Sequence, residues 1–183
     1  MAQPIATWLA RRFGADIVWL PFDLHPEYPT EGLPRAQLVA RYGEGMTERM
    51  QATFVARGLD YNPNPEVVPN TMKALRLTEL ARELGLHEET HDRLMEAYWA
   101  EAQDLGDSDV LRALAAQLGL PLDEVEAVLA GDRYRERIVE STRQAASIGA
   151  NAVPAFLIDR RLLVLGAQPE PVFEQAYAQL AGD

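Results

Sequence analysis

The 183-residue sequence contains no cysteine. That excludes disulfides, thiolate metal sites and cysteine nucleophiles within these residues. Positive charge is scarce as well: 17 Lys and Arg stand against 28 Asp and Glu, a formal net charge of −11. Such a surface repels phosphate backbones and anionic lipid, so neither nucleic acid nor a membrane is an expected partner. No apolar run approaches the ~18 residues of a membrane helix, and the longest are short pieces such as IVWL and LLVL. The opening MAQPIATWLARRFG carries its arginines after its apolar part rather than before it, so it does not read as a signal peptide. A cytoplasmic location is the resulting expectation. The GEG at 43–45 neither follows a strand nor has the length of a phosphate loop, and no Gly-x-Ser-x-Gly elbow occurs.

What is present is apolar: 48% of the residues, enough for one domain, or for a small domain carrying a large insertion. Ile5, Trp8, Leu9 and Phe13 form the stripe of an amphipathic helix, with Pro4 suited to its first turn and Gly14 to its end. ADIVWLPF follows, and its consecutive apolar residues Ile17 to Leu20 predict a strand buried on both faces. The proline-rich DLHPEYPTEGLP reads as a rigid, extended loop.

From about 34 to 148 the pattern is helical, in five or six elements broken by Gly43 and Gly45, YNPNPEVVPN, Gly85, Gly106, Gly119 and Gly131. Val110, Leu111, Leu114 and Leu118 make one stripe behind the capping candidates Asp107 and Ser108, and Tyr134, Ile138, Thr142 and Ala145 make another. After Gly149, PAFLI and LLVL flank the polar DRR as a hairpin, and GAQPEPVFEQAYAQL closes the chain as a helix. Strand segments at the two ends of the chain are expected to share one sheet, with the helical block inserted between them.

HEETH at 87–91 matches the two-histidine, one-glutamate pattern of zinc proteases. Its context argues for a solvated helix start. It follows Gly85, its acids suit a helix N-terminus, and a third ligand is wanting, since His25 is the one other histidine. His25 reads as a loop residue, Asp23 and Glu27 as turn formers, and Trp8, Trp19 and Trp99 as core; no metal site is expected.

Val153-Pro154 has more specific company. It follows a helix ending AASIGANA and precedes a strand, a short hairpin, GAQP and a final helix. IGANAVPAFLIDRRLLVLGAQPEPVFEQ is similar to the end of a thioredoxin-fold protein of the DsbA family. The branch is that of the FrnE-like dithiol-disulfide isomerases and 2-hydroxychromene-2-carboxylate isomerases. WLPFDLHPEYPTEGLPR, NTMKALRLTELARELG with its Asn70, Ala74 and Arg76, and AYWAEAQDLGDSDVLRALAAQLGL resemble the segments before it in the same order.

The resemblance implies an α/β, thioredoxin-like fold with a large all-helical insertion, N-terminally truncated relative to the family. Residues 1–33 and 149–183 would form the discontinuous core, and 34–148 the insertion. It implies a cis Val153-Pro154 bond and substrate-binding roles for Val153, Pro154 and Asn70. In the family this proline faces a Cys-x-x-Cys at the start of the first helix, where the helix dipole lowers the thiol pKa.

The present sequence begins inside that helix, so the dithiol, or a serine in its place, is expected before Met1, together with the central strand. The expected activity is thiol-disulfide exchange on protein dithiol or disulfide substrates, with the start of this chain misplaced. The alternatives are a redox-inactive binding or assembly protein on the same scaffold, and an isomerase of the 2-hydroxychromene-2-carboxylate type acting on a small molecule with glutathione as cofactor. Oligomeric state has no sequence signal.

Overall fold

The computed structural model describes residues 2–43, 45–62 and 66–182; Met1, Glu44, residues 63–65 and Asp183 lie outside the described residues. Part of the GEG and of the YNPNPEVVPN break therefore falls outside the description. The elements run α1 (Ala2–Phe13), β1 (Leu33–Pro34), α2 (Arg35–Tyr42), α3 (Gly45–Val55), β2 (Val67–Val68), α4 (Met72–Glu83), α5 (His87–Trp99), α6 (Ser108–Gln117), α7 (Leu122–Ala130), α8 (Arg135–Ser147), β3 (Ala155–Ile158), β4 (Leu162–Leu165) and α9 (Glu170–Gly182). The chain divides into two compact units, one of residues 1–24 with 140–183 and one of residues 25–139.

In the first unit, α1 places Leu9 in a cluster with Ile158 and Val164 of the hairpin and Phe173 and Ala176 of α9, and Ile5, Trp8, Phe13 and Ile17 pack around it. Phe173 is its fully buried centre, met edge-on by Phe156 at 5.1 Å. Phe13 stacks on Tyr177 at 3.8 Å. α1 ends at Gly14 in the left-handed region, φ +64, which glycine reaches at little cost.

Sequence and structure part company at 15–22. Ile17 to Leu20 form no strand: the segment has no regular secondary structure and is alternately covered and exposed, with Ile17 in the cluster but Val18 71% and Leu20 74% exposed. Burial on both sides needs a segment that lies in a sheet covered on each face, and no ladder bonds join this segment to another strand among the described residues. Its far end is held by α8, where Ser141 Oγ donates to Pro21 O at 2.7 Å and Thr142 Oγ1 accepts the Asp23 N–H at 2.9 Å.

The second unit is helical, with α4, α5, α6 and α7 around Leu77, Leu80, Leu94, Leu111, Leu114, Val125 and Val128, all 0–1% exposed. α6 starts as its sequence predicts: the Asp107 carboxylate caps it, accepting the Asp109 N–H at 2.8 Å. Between residues 34 and 148 the described helices number seven, α2 to α8, rather than five or six. Strand pairing also occurs away from the chain ends: Leu33–Pro34 pair antiparallel with Val67–Val68. Such a two-residue ladder leaves no periodicity in the sequence.

Candidate functional site

The hairpin forms where its apolar runs predict. β3 and β4 pair antiparallel, with Ala155 opposite Leu165 and Ile158 opposite Leu162. Its turn is tight, Asp159 and Arg160 both adopting positive φ (+50 and +55), and the Arg161 N–H closes it on Ile158 O at 3.0 Å. The Val153–Pro154 peptide bond immediately before β3 is cis. Pro154 O accepts the Gly166 N–H at 2.8 Å, so the 154/166 pair is a hydrogen-bonded one.

Alternation from that pair fixes which groups of β3 face which way. Phe156 and Ile158 exchange bonds with β4, and the N–H and C=O of Ala155 and Leu157 point to the other edge. Among the described residues no strand pairs with that edge. It carries no charged side chain, and Val153 and Leu157 beside it are about half exposed (52% and 47%). Natural sheet edges are usually guarded by charge, proline or a bulge. Here the fourfold apolar run AFLI presents a clean template for another extended segment.

Residues 2–178 match the DsbA-like thioredoxin domain. The chain belongs to this family. A probable DsbA oxidoreductase from Streptomyces coelicolor is 32% identical and superposes with a TM-score of 0.86, over 99% of this chain and 82% of that one. A 2-hydroxychromene-2-carboxylate isomerase has the same fold at 18% identity and a TM-score of 0.72, over 98% of this chain and 88% of that one. In sequence, protein YwbO of Bacillus subtilis (strain 168), described as uncharacterized, is 28% identical over 163 residues, 88% of this chain and 80% of that protein. The fold is thus the DsbA-like thioredoxin one, with oxidoreductases and isomerases as neighbours. No helix among the described residues is long and apolar enough to cross a membrane.

Of the site residues the sequence singles out in this DsbA-like chain, Val153 and Pro154 lie in the first unit, at the open edge of β3. Asn70 lies in the second, and both polar atoms of its side chain are engaged there. Oδ1 accepts the Met72 N–H at 3.0 Å, holding the first turn of α4, and Nδ2 donates to Tyr28 O at 2.8 Å, tying down the proline-rich loop. In that loop His25 stacks on Tyr28 at 4.3 Å, and its Nδ1 lies 3.1 Å from Glu27. The Glu27 carboxyl is held below its usual range, first by a backbone N–H of its own residue and then by His25.

HEETH opens α5, as expected of a helix start, but it is not simply solvated. Thr90 is fully buried, and the His87 and His91 rings stack 6.0 Å apart. His87 Nε2 lies 2.8 Å from Arg82 Nη2. Sequence reasoning misses this contact because Arg82 belongs to the preceding helix, across the turn at Gly85. No group of three or more His, Cys, Asp or Glu among the described residues is placed to hold a metal ion.

Proposed function

We propose that this chain is the greater part of a thiol-disulfide oxidoreductase or isomerase, and that one more extended segment, carrying the redox pair, lies along the open edge of β3. The observation that supports this is the edge itself. Among the described residues no strand takes up the outward backbone groups of Ala155 and Leu157, and in the same unit the apolar 15–22 segment joins no sheet. Ala155 and Leu157 are exposed, so each ladder bond a strand made at this edge would contribute only the net worth of a hydrogen bond, about 0.5–1.5 kcal/mol, with the burial of apolar surface added to it.

Val153 and Pro154 would then border the dithiol and hold an extended substrate chain against it. Each turnover transfers two hydrogens: the substrate disulfide becomes two thiols while the dithiol becomes a disulfide, or the reverse. Asn70 would serve substrate through the loop it anchors, since both polar atoms of its side chain are engaged.

The test is the intact mass of the protein isolated from its native host, together with an insulin-reduction assay. A native chain carrying a Cys-x-x-Cys ahead of α1 and reducing insulin is the expected result, while the 183-residue chain, which has no thiol, stays inactive. A native protein without cysteine overturns the proposal in favour of a binding role or of serine-based isomerisation.

A further inference from the structure

The histidine pair of α5 is left without a role by the reading above. Its surroundings form a line of charged groups. Glu79 of α4 is fully buried, and its Oε1 accepts from Arg82 Nε at 3.1 Å. Arg137 of α8 places its Nε 3.0 Å from Glu79 Oε2, an ion pair without hydrogen-bond alignment. Nη2 of the same Arg82 guanidinium lies 2.8 Å from His87 Nε2. Four residues from three helices, all in the second unit, are thus joined through one buried carboxylate.

The chemistry of the last link is one-directional. A guanidinium only donates, so His87 Nε2 has to accept, and the ring proton sits on Nδ1. Protonation would make both ring nitrogens donors and set a cation against Arg82. It would also place positive charge in the first turn of α5, where the helix dipole opposes it. Arg82 cannot follow the histidine outward without leaving Glu79 buried and half-compensated.

We propose that His87, Arg82, Glu79 and Arg137 form an acid-sensitive latch between α4, α5 and α8, closed while the His87 imidazole is neutral and released by its protonation. The charged groups facing His87 are Arg82 from α4 and His91 and Asp92 from its own helix. Burial first, then Arg82 and His91, push the His87 pKa down to about 4 against the smaller opposing pull of Asp92. His91 is also lowered, chiefly by burial.

The sign follows from linkage. An unfolded histidine takes up its proton near pH 6.5, and folded His87 does so only near pH 4. The stabilisation from the closed latch is therefore full above about pH 6.5 and is lost progressively as the pH falls to about 4, where the folded ring itself takes up its proton and the latch opens.

The test is an NMR titration of the three histidine rings in the 183-residue chain, assigned with His25→Gln and His91→Gln, together with urea unfolding of the parent and His87→Gln at pH 7 and pH 4. Glutamine can accept from Arg82 but does not titrate. Expected are an Nδ1–H tautomer of His87 at pH 7 and a titration midpoint near 4. The unfolding constant should rise ~10- to 100-fold more between the two pH values in the parent than in His87→Gln, a range set below the full linkage ratio because the ring is only partly buried. A midpoint at or above 6.5, an Nε2–H tautomer at pH 7, or equal pH responses of parent and His87→Gln overturns the proposal.

Discussion

The two units solve the same burial problem with different materials. In the unit of residues 25–139, α4 to α7 enclose Leu77, Leu111, Leu114, Val125 and Val128 to within 1% of full burial. In the unit that joins residues 1–24 to 140–183, Phe173 is as deeply buried, yet Val18, Leu20, Val153 and Leu157 remain 47–74% exposed. A helix satisfies its own backbone, so packing side chains between helices is enough to finish a core. An extended segment leaves half its backbone groups to a neighbour, and a lone hairpin is marginal. The contrast lies in the backbone: among the described residues no strand pairs with the outer edge of β3 or with the 15–22 segment, whereas the helices of the second unit satisfy their own.

That contrast can be broken by substitution. The largest effect belongs to the closed core: Leu111→Ala is expected to lower unfolding free energy by about 2–5 kcal/mol in urea titration. Next comes Asn70→Ala, which removes the cap on the Met72 N–H and unties Tyr28 O. It should cost about 1–2 kcal/mol by the same measurement. At the hairpin, Arg160→Gly relieves a non-glycine residue at φ +55 and should raise the melting temperature, by the equivalent of about 0.5–1 kcal/mol.

Smallest is the double change Val18→Ser, Leu20→Ser at the open segment, expected within about 0.5 kcal/mol of the parent in stability. It should still reduce binding of a hydrophobic dye such as anilinonaphthalene sulfonate. A loss there comparable with that of Leu111→Ala would mean that these side chains are buried in solution, and the comparison between the units would fail.

How much could be read beforehand differed in the same way. The hairpin was legible because AFLI and LLVL are apolar runs of strand length around a polar turn, and α6 because Asp107 stands directly before its stripe. Asn70 came from family likeness, although Asn-Thr ahead of an apolar run is itself a helix-start signal. IVWL has the composition of a strand buried on both faces, but composition tells only what a segment would bury if paired, and among the described residues no strand pairs with it. The ladder of Leu33–Pro34 with Val67–Val68 has too few residues to show a period. His87 looked solvated because its partner comes from the previous helix and Glu79, the buried centre of the network, lies eight positions upstream.

The clasp of Ser141 and Thr142 on Pro21 and Asp23 also sets an order of events during synthesis. The Thr142 contact joins groups 119 residues apart, and at roughly 5–20 residues per second that interval takes about 6–24 s to translate. Throughout it α1 and the 15–22 segment have emerged without their packing partners, while the residues of the helical unit are complete before Thr142 is added. This stretch of the nascent chain is thus among the last to be sheltered, and it is the one a ribosome-associated chaperone would find exposed.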